Sequence, residues 1–247
     1  MQPREKFESI LTTKTGLKML APSKVASQFY CEKKVHLEQE LGEVETETMR
    51  RGTETHEKAA EDAEPVDMDE VWRAIERGER QELLETMFPG EIDEFALFGI
   101  PDAIVFDDGK PQLIFDRKTT SIPTRLFQNQ RVQIWIYGYM MESLGFETDN
   151  LQLAILSHEQ ELDPELGKQL QKRILSEHTA LELAKTTLHK EPTALVHLCE
   201  YATDDHMDDL QWALGYWRDE RDPVPTENAA KCRSCPYKNT CSDSLVS

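Results

Sequence analysis

Gly99 to Lys118, GIPDAIVFDDGKPQLIFDRK, decides how this chain reads. Ile104, Val105 and Phe106 favour a strand, and so do Leu113, Ile114 and Phe115. Asp107-Asp108-Gly109-Lys110 between them is a turn signal with a glycine free to take a positive φ. Asp102 falls in the first strand, and Asp116 and Lys118 end the second. If 102 pairs with 116, the two carboxylates face each other. Lys118, two residues on from Asp116, then shares their face. Opposed carboxylates weaken a sheet, and a divalent cation between them turns that liability into a site. A strict two-residue turn at Asp108-Gly109 would put the aspartates on opposite faces. The site reading therefore predicts a longer loop or a bulge, and Pro111, which cannot donate to a ladder, makes the longer loop easier to accept. On its own, this stretch reads slightly better as a surface hairpin with ordinary charges, and the rest of the chain shifts that balance.

At 247 residues the chain is long enough for one good core, and one domain is the expectation. No apolar run reaches membrane-spanning length, and the N-terminus has no apolar signal core, so a cytoplasmic protein without a membrane partner is expected. A net charge of −19 taken alone argues against a nucleic-acid ligand. The distribution argues the other way. From Arg117 to Met141 there are four basic residues (Arg117, Lys118, Arg125, Arg131) and no acid, in a chain with 47 acidic residues. That segment begins at the hairpin.

Around the hairpin the order of elements suits an α/β (α+β) fold, a small mixed sheet flanked by helices. Helices are expected from Ser23 as N-cap, near whose end Cys31 falls, and on through His36 to Leu41, where Gly42 stops the run. Glu47 to Glu64 reads as a helix carrying His56, which by itself is more often a solvent-facing histidine. Residues 65–94 read as an acidic helical insertion, helical from Met68 to Met87 and broken at Pro89-Gly90. Later expectations are a helix from Thr124 to Leu144, a strand from Leu151 to Leu156, a helix from Leu162 to Lys190, a strand from Ala194 to Tyr201 with Cys199 buried, and a helix from Asp204 to Arg221 in which Trp212 and Tyr216 pack together. The single domain thus divides into N-terminal helices (1–64), the insertion (65–94), a core (95–222) and a tail (223–247).

The tail holds the most specific local signal: Cys232-x-x-Cys235-x5-Cys241. Three thiolates at this spacing can turn onto one metal centre, and Cys31 is the best fourth ligand. Zinc and a [4Fe–4S] cluster both suit four cysteines, and spacing leaves the choice open. A centre that closes a loop of ~200 residues would stabilise the fold by roughly 5 kcal/mol at the upper end, and its loss would loosen the whole fold.

Taken in order, Cys31, His56 after Arg51-Gly52, Gly99-Ile100-Pro101-Asp102, Asp116-Arg117-Lys118, Gln133-Ile134-Trp135-Ile136-Tyr137 and the cysteine tail resemble RecB-like PD-(D/E)XK nucleases carrying an iron–sulfur cluster. The CRISPR-associated exonucleases of the fourth-numbered Cas family are the most similar in size and in lacking a helicase region. That family more often has Glu where Asp116 stands. The resemblance implies a restriction-endonuclease-like core and a structural [4Fe–4S] cluster on Cys31, Cys232, Cys235 and Cys241 that joins the two ends of the chain. It also implies Mg²⁺ or Mn²⁺ on His56, Asp102, Asp116 and the Arg117 carbonyl. Asp102, Asp116 and Lys118 would be catalytic, with Lys118 holding or deprotonating a water. Gln133, Tyr137, Arg125 and Arg131 would contact DNA. The implied activity is exonucleolytic trimming of single-stranded DNA ends, with CRISPR integrase proteins as partners. A RecB-like nuclease of repair, replication or a mobile element, a non-catalytic DNA-end adaptor and a zinc-stabilised scaffold are the competing readings. The intact Asp102, Asp116 and Lys118 set weighs against the adaptor, and the acid-free basic segment weighs against the scaffold.

Overall fold

The structure is a computed structural model that describes residues 2–12, 16–44, 67–177 and 194–246. The expected helix over Glu47 to Glu64, His56 within it, and the last part of the helix expected to reach Lys190 lie outside the described residues.

The chain runs α1 (Pro3–Thr12), β1 (Lys18–Leu20), α2 (Pro22–Leu41), α3 (Met68–Glu76), β2 (Gln81–Leu84), β3 (Phe88–Ile92), β4 (Phe95–Gly99), β5 (Ala103–Asp107) and β6 (Lys110–Thr119). It continues through α4 (Gln128–Leu144), β7 (Gln152–His158), α5 (Pro164–Glu177), β8 (Ala194–Glu200), α6 (Met207–Trp217) and α7 (Ala229–Ser234). Five strands form a mixed sheet in the order β2-β5-β6-β7-β8, in which β6 and β7 are parallel and the other neighbours antiparallel. A smaller sheet has the order β1-β4-β3.

The apolar residues of β5 and β6 alternate between two cores. Ile104, Phe106 and Ile114 face the core that contains α4, while Ala103, Val105, Leu113 and Phe115 face α5. Helix α4 is buried nearly all round, as its run Val132, Ile134, Trp135, Ile136, Tyr137, Met140, Met141 and Leu144 requires. It touches β3 of the small sheet on one side and β6 and β7 on the other. Gly90 lets β3 come close, since a Cβ there would meet Met140 Cγ at 2.6 Å.

The hairpin forms, with a two-residue turn and not a longer loop. Asp107 pairs with Lys110, and Asp108 and Gly109 both take positive φ, 50° and 75°. The departure from regularity is a bulge. Phe106 pairs with Pro111 but Val105 pairs with Leu113, so Gln112 is extra on β6. Its side-chain amide donates back to the Asp107 carbonyl at 3.2 Å. This single residue restores the parity that sets Asp102 against Asp116.

Other expectations are corrected. The 65–94 segment is not a helical insertion: α3 ends at Glu76, β2 joins the main sheet as an edge strand, and Pro89-Gly90 lies inside β3. Ladder pairing overrides the break that Pro-Gly signals in isolation. Ala21, not Ser23, is the N-cap of α2, because Pro22 takes the first helical position, where no N–H is needed. Helix α4 begins at Gln128, four residues after Thr124, and Gln130 Oε1 accepts the Phe127 N–H at 2.9 Å. Cys199 is exposed, since β8 is an edge strand. Trp212 packs on Phe29 and Arg221, and Tyr216 on Trp217 and His36. The expected break in α2 does occur: Cys31 has extended φ and ψ (−168°, 108°) between two helical segments.

The two ends of the chain meet through ordinary contacts. Glu32, fully buried, takes Nη1 and Nη2 of Arg221, the Gln28 amide at 2.5 Å and the Val224 N–H at 2.8 Å. Lys231 Nζ donates to the Tyr30 carbonyl at 2.8 Å. Tyr237 Oη donates to the Gly42 carbonyl at 2.6 Å and accepts the Val44 N–H at 3.0 Å.

Candidate active site

Three elements converge at one end of the β5–β6 hairpin. Asp102 stands one residue before β5, and the pairing of Ala103 with Phe115, carried one step back, sets it opposite Asp116. Both carboxylates are buried, with relative exposures of 7% and 3%. Asp102 Oδ2 accepts the Arg117 N–H at 2.5 Å, which ties the start of one strand to the end of the other. Lys118 follows on the same face as Asp116, and α4 lies across that face.

Lys118 Nζ is 2.8 Å from Asp116 Oδ2. The contact is a buried ion pair, and Asp116 Oδ2 takes no further partner among the described residues. Nζ instead donates to Gln133 Oε1 at 3.1 Å. Gln133 Nε2 then donates to Tyr137 Oη at 3.1 Å, and Oη reaches the Ile100 carbonyl at 3.4 Å. Four residues of spacing on α4 put Gln133 and Tyr137 one above the other, which is why one helix face can continue the relay.

Burial by itself pulls Lys118 down, but the charge and proximity of Asp116, with Asp102 adding, outweigh it. The net direction is upward, so Lys118 is an ammonium. Burial, then the charges of Asp116 and Asp102, push the Tyr137 phenol far above its ordinary range, so it stays a neutral hydrogen-bond donor. Two buried carboxylates beside one ammonium leave a negative surplus. Carboxylate oxygens of this kind fit a hard divalent cation. His56, the remaining expected ligand, lies outside the described residues.

The basic residues separate. Arg125 is exposed in the loop before α4, its guanidinium 5.0 Å over the Phe127 ring. Arg131 is exposed two residues before Gln133, roughly 200° around the helix, and so does not share the Gln133–Tyr137 face.

A second cluster lies at the chain ends. Cys31 at the α2 kink, Cys232 in α7, Cys235 at its C-cap and Cys241 in the following turn all line one cavity, together with Lys34 and Lys231. All are free thiols. Burial pushes the Cys235 thiol up. Among the described residues, no group of three or more His, Cys, Asp or Glu side chains is arranged to hold a single metal ion. Nor is any described helix long and apolar enough to cross a membrane.

Residues 19–242 match the family described as the PD-(D/E)XK nuclease superfamily. No curated protein matches the chain. Among solved structures, the crystal structure of SSO0001 is similar with a TM-score of 0.52 at 13% identity, over 99% of this chain and 95% of that one. The alkaline exonuclease LHK-Exo from Laribacter hongkongensis gives 0.40 at 14% identity, over 88% and 91%. At such identities the likeness to SSO0001 is one of fold.

Proposed function

The chain belongs to the PD-(D/E)XK nuclease superfamily, and from that premise we propose that it is a divalent-cation-dependent exonuclease that degrades single-stranded DNA from an end and trims DNA for CRISPR spacer acquisition. The observation that carries the nuclease reading is the set Asp102, Asp116 and Lys118 brought to one face by the Gln112 bulge, with Asp116 and Lys118 ion-paired at 2.8 Å. The CRISPR setting, with integrase proteins as partners, rests on the order of motifs from Cys31 to Cys241.

Asp102, Asp116 and His56, with the Arg117 carbonyl, would hold Mg²⁺ or Mn²⁺. Bound there, the ion would lower the pKa of a water and neutralise charge on the scissile phosphate. Lys118, an ammonium held by Asp116 and Gln133, stabilises the charge that grows on the phosphoryl oxygens and holds the attacking water by donation. Gln133 and Tyr137 keep its position fixed, which lowers the cost of ordering it during reaction. Arg125 and Arg131 attract phosphates from the acid-free segment. Leu84, which pairs with Ala103, and Ile100, two residues before Asp102, are exposed and offer apolar surface to unstacked bases, which a duplex keeps inside; this favours single strands.

The four cysteines are read as ligands of a structural [4Fe–4S] cluster. Their shared cavity supplies the thiolate set, and the lysines that line it offset a cluster's negative charge.

Anaerobically purified protein tests both parts. With Mn²⁺ or Mg²⁺, end-labelled linear single strands are shortened while circular single strands and duplex survive; cutting of circles at the same rate contradicts an exonuclease. Iron and sulfide at about four per chain support the cluster, and zinc in their place overturns it. Co-purification with a CRISPR integrase supports the setting, and partners confined to repair or mobile-element proteins contradict it.

A further inference from the structure

Strand β7 is apolar where it is buried, except at Ser157. Ser157 is fully buried, and its Oγ has no hydrogen-bond partner among the described residues. The register pairs it with Lys118 on β6 and with Leu195 on β8. Its direction follows from the residues before it in the same strand. Leu153 and Ile155 lie in the core that contains α4, while Ala154 and Leu156 lie in the core against α5. Side chains two apart share a face, so Ser157 faces the α4 side. Ile155 pairs with Asp116. Asp116, Lys118 and Ser157 therefore share one face of two adjacent parallel strands, which lie roughly 5 Å apart.

Burying a hydroxyl without a partner is unfavourable, and such a group in a folded protein calls for a role. The neighbour that can use it is Lys118. Its ammonium donates and never accepts. Nζ has Asp116 Oδ2 at 2.8 Å and Gln133 Oε1 at 3.1 Å. A divalent cation on Asp116 would share that carboxylate with the ammonium, and two positive charges on one carboxylate repel. The ammonium then keeps Gln133 and needs a second acceptor. Ser157 Oγ, on the paired residue of the next strand, has its acceptor capacity unspent.

We infer that Ser157 is a positioning residue, which accepts from the Lys118 ammonium once a divalent cation engages Asp116 and so holds Lys118 beside the cation during cleavage. This deepens the reading of that site given above and rests on it. In the cation-free protein the hydroxyl is a standing cost; in the loaded protein it seats the displaced ammonium. Ser157 thereby raises affinity for the cation without touching it.

The test is Mn²⁺ titration calorimetry without DNA on wild type, Ser157→Ala, Ser157→Cys, Lys118→Met, Asp116→Ala and the double variant Ser157→Ala/Lys118→Met, with thermal melts in EDTA. Ser157→Ala is expected to lose about 10-fold in Mn²⁺ affinity. Ser157→Cys, close in size but a weak acceptor, should lose as much, which separates hydrogen bonding from packing. In the Lys118→Met background Ser157→Ala should change nothing further, because no ammonium is left to seat. Without the cation, Ser157→Ala should melt no lower than wild type, since it removes a hydroxyl that has no partner. Wild-type Mn²⁺ affinity in Ser157→Ala, with affinity lost in Asp116→Ala, overturns this inference alone. So does an equal loss with and without Lys118, or a cation-free Ser157→Ala that melts well below wild type. No Mn²⁺ binding by the wild type overturns the cation-site reading and this inference together.

Discussion

Lys118 and Gln133 are joined by a 3.1 Å hydrogen bond that links the main sheet to the helix packed across it. Through it the ammonium beside Asp116 is oriented by α4, and through Tyr137 the same relay returns to the Ile100 carbonyl just before Asp102.

Gln133→Ala removes the middle of that relay. Lys118 keeps Asp116 but loses its second partner, and Tyr137 loses one of two. Stability should fall by only about 1 kcal/mol, the typical net worth of a hydrogen bond. Cleavage should fall much further, by roughly 10-fold or more. Urea unfolding and single-turnover cleavage measure the two effects separately.

Gly99→Ala acts on the same tyrosine from the other side. A Cβ at position 99 would lie 2.6 Å from Tyr137 Cε1 and 3.0 Å from Pro22 Cγ. Tyr137 is buried and its ring has no room to withdraw. The substitution should cost about 1–3 kcal/mol as overpacking and should displace the phenol from Gln133. Thermal melts and cleavage rates of the purified variant check both.

Much of this was legible in the sequence, and the misses have physical causes. Two β-favouring runs on either side of an Asp-Gly turn signal gave the hairpin, and parity alone required a departure from regularity if Asp102 and Asp116 were to share a face. The departure proved to be a bulge at Gln112, because Asp108-Gly109 already satisfies a two-residue turn. The break at Cys31 was visible as two helical runs meeting at one residue. The 77–92 segment differs because β2 is short and pairs with β5 across the intervening β3–β4 hairpin, which local propensity does not carry, and because that hairpin turns at Asp93-Glu94 without a glycine to signal it.

The contacts between the chain ends predict that the tail stays docked without any metal. Arg221→Ala leaves Glu32 buried and uncompensated, which should cost about 3–5 kcal/mol. The pair Cys232→Ser and Cys235→Ser spares these contacts. Limited proteolysis of the iron-free cysteine variant should leave the Pro223–Val246 tail protected, while Arg221→Ala should expose it to cleavage.

His158 adds a pH dependence of defined sign. Burial pulls its imidazole below the ordinary value, and the charge of Arg117 adds to this, outweighing its hydrogen bond to the Glu159 carbonyl. Protons therefore bind the unfolded chain more readily than the folded one. The stability is intact above the unfolded pKa of about 6.5 and is lost as pH falls toward the lower folded value. Melting temperature should drop more steeply on acidification from about pH 7 to pH 5 in wild type than in His158→Asn.

The most direct measurement is cleavage of end-labelled single-stranded DNA by wild type and Asp116→Ala, side by side, with and without Mn²⁺. The account predicts Mn²⁺-dependent shortening by the wild type and none by a folded Asp116→Ala. Equal cleavage by the two proteins would contradict it, because catalysis would then lie away from the row that Asp102 and Asp116 form.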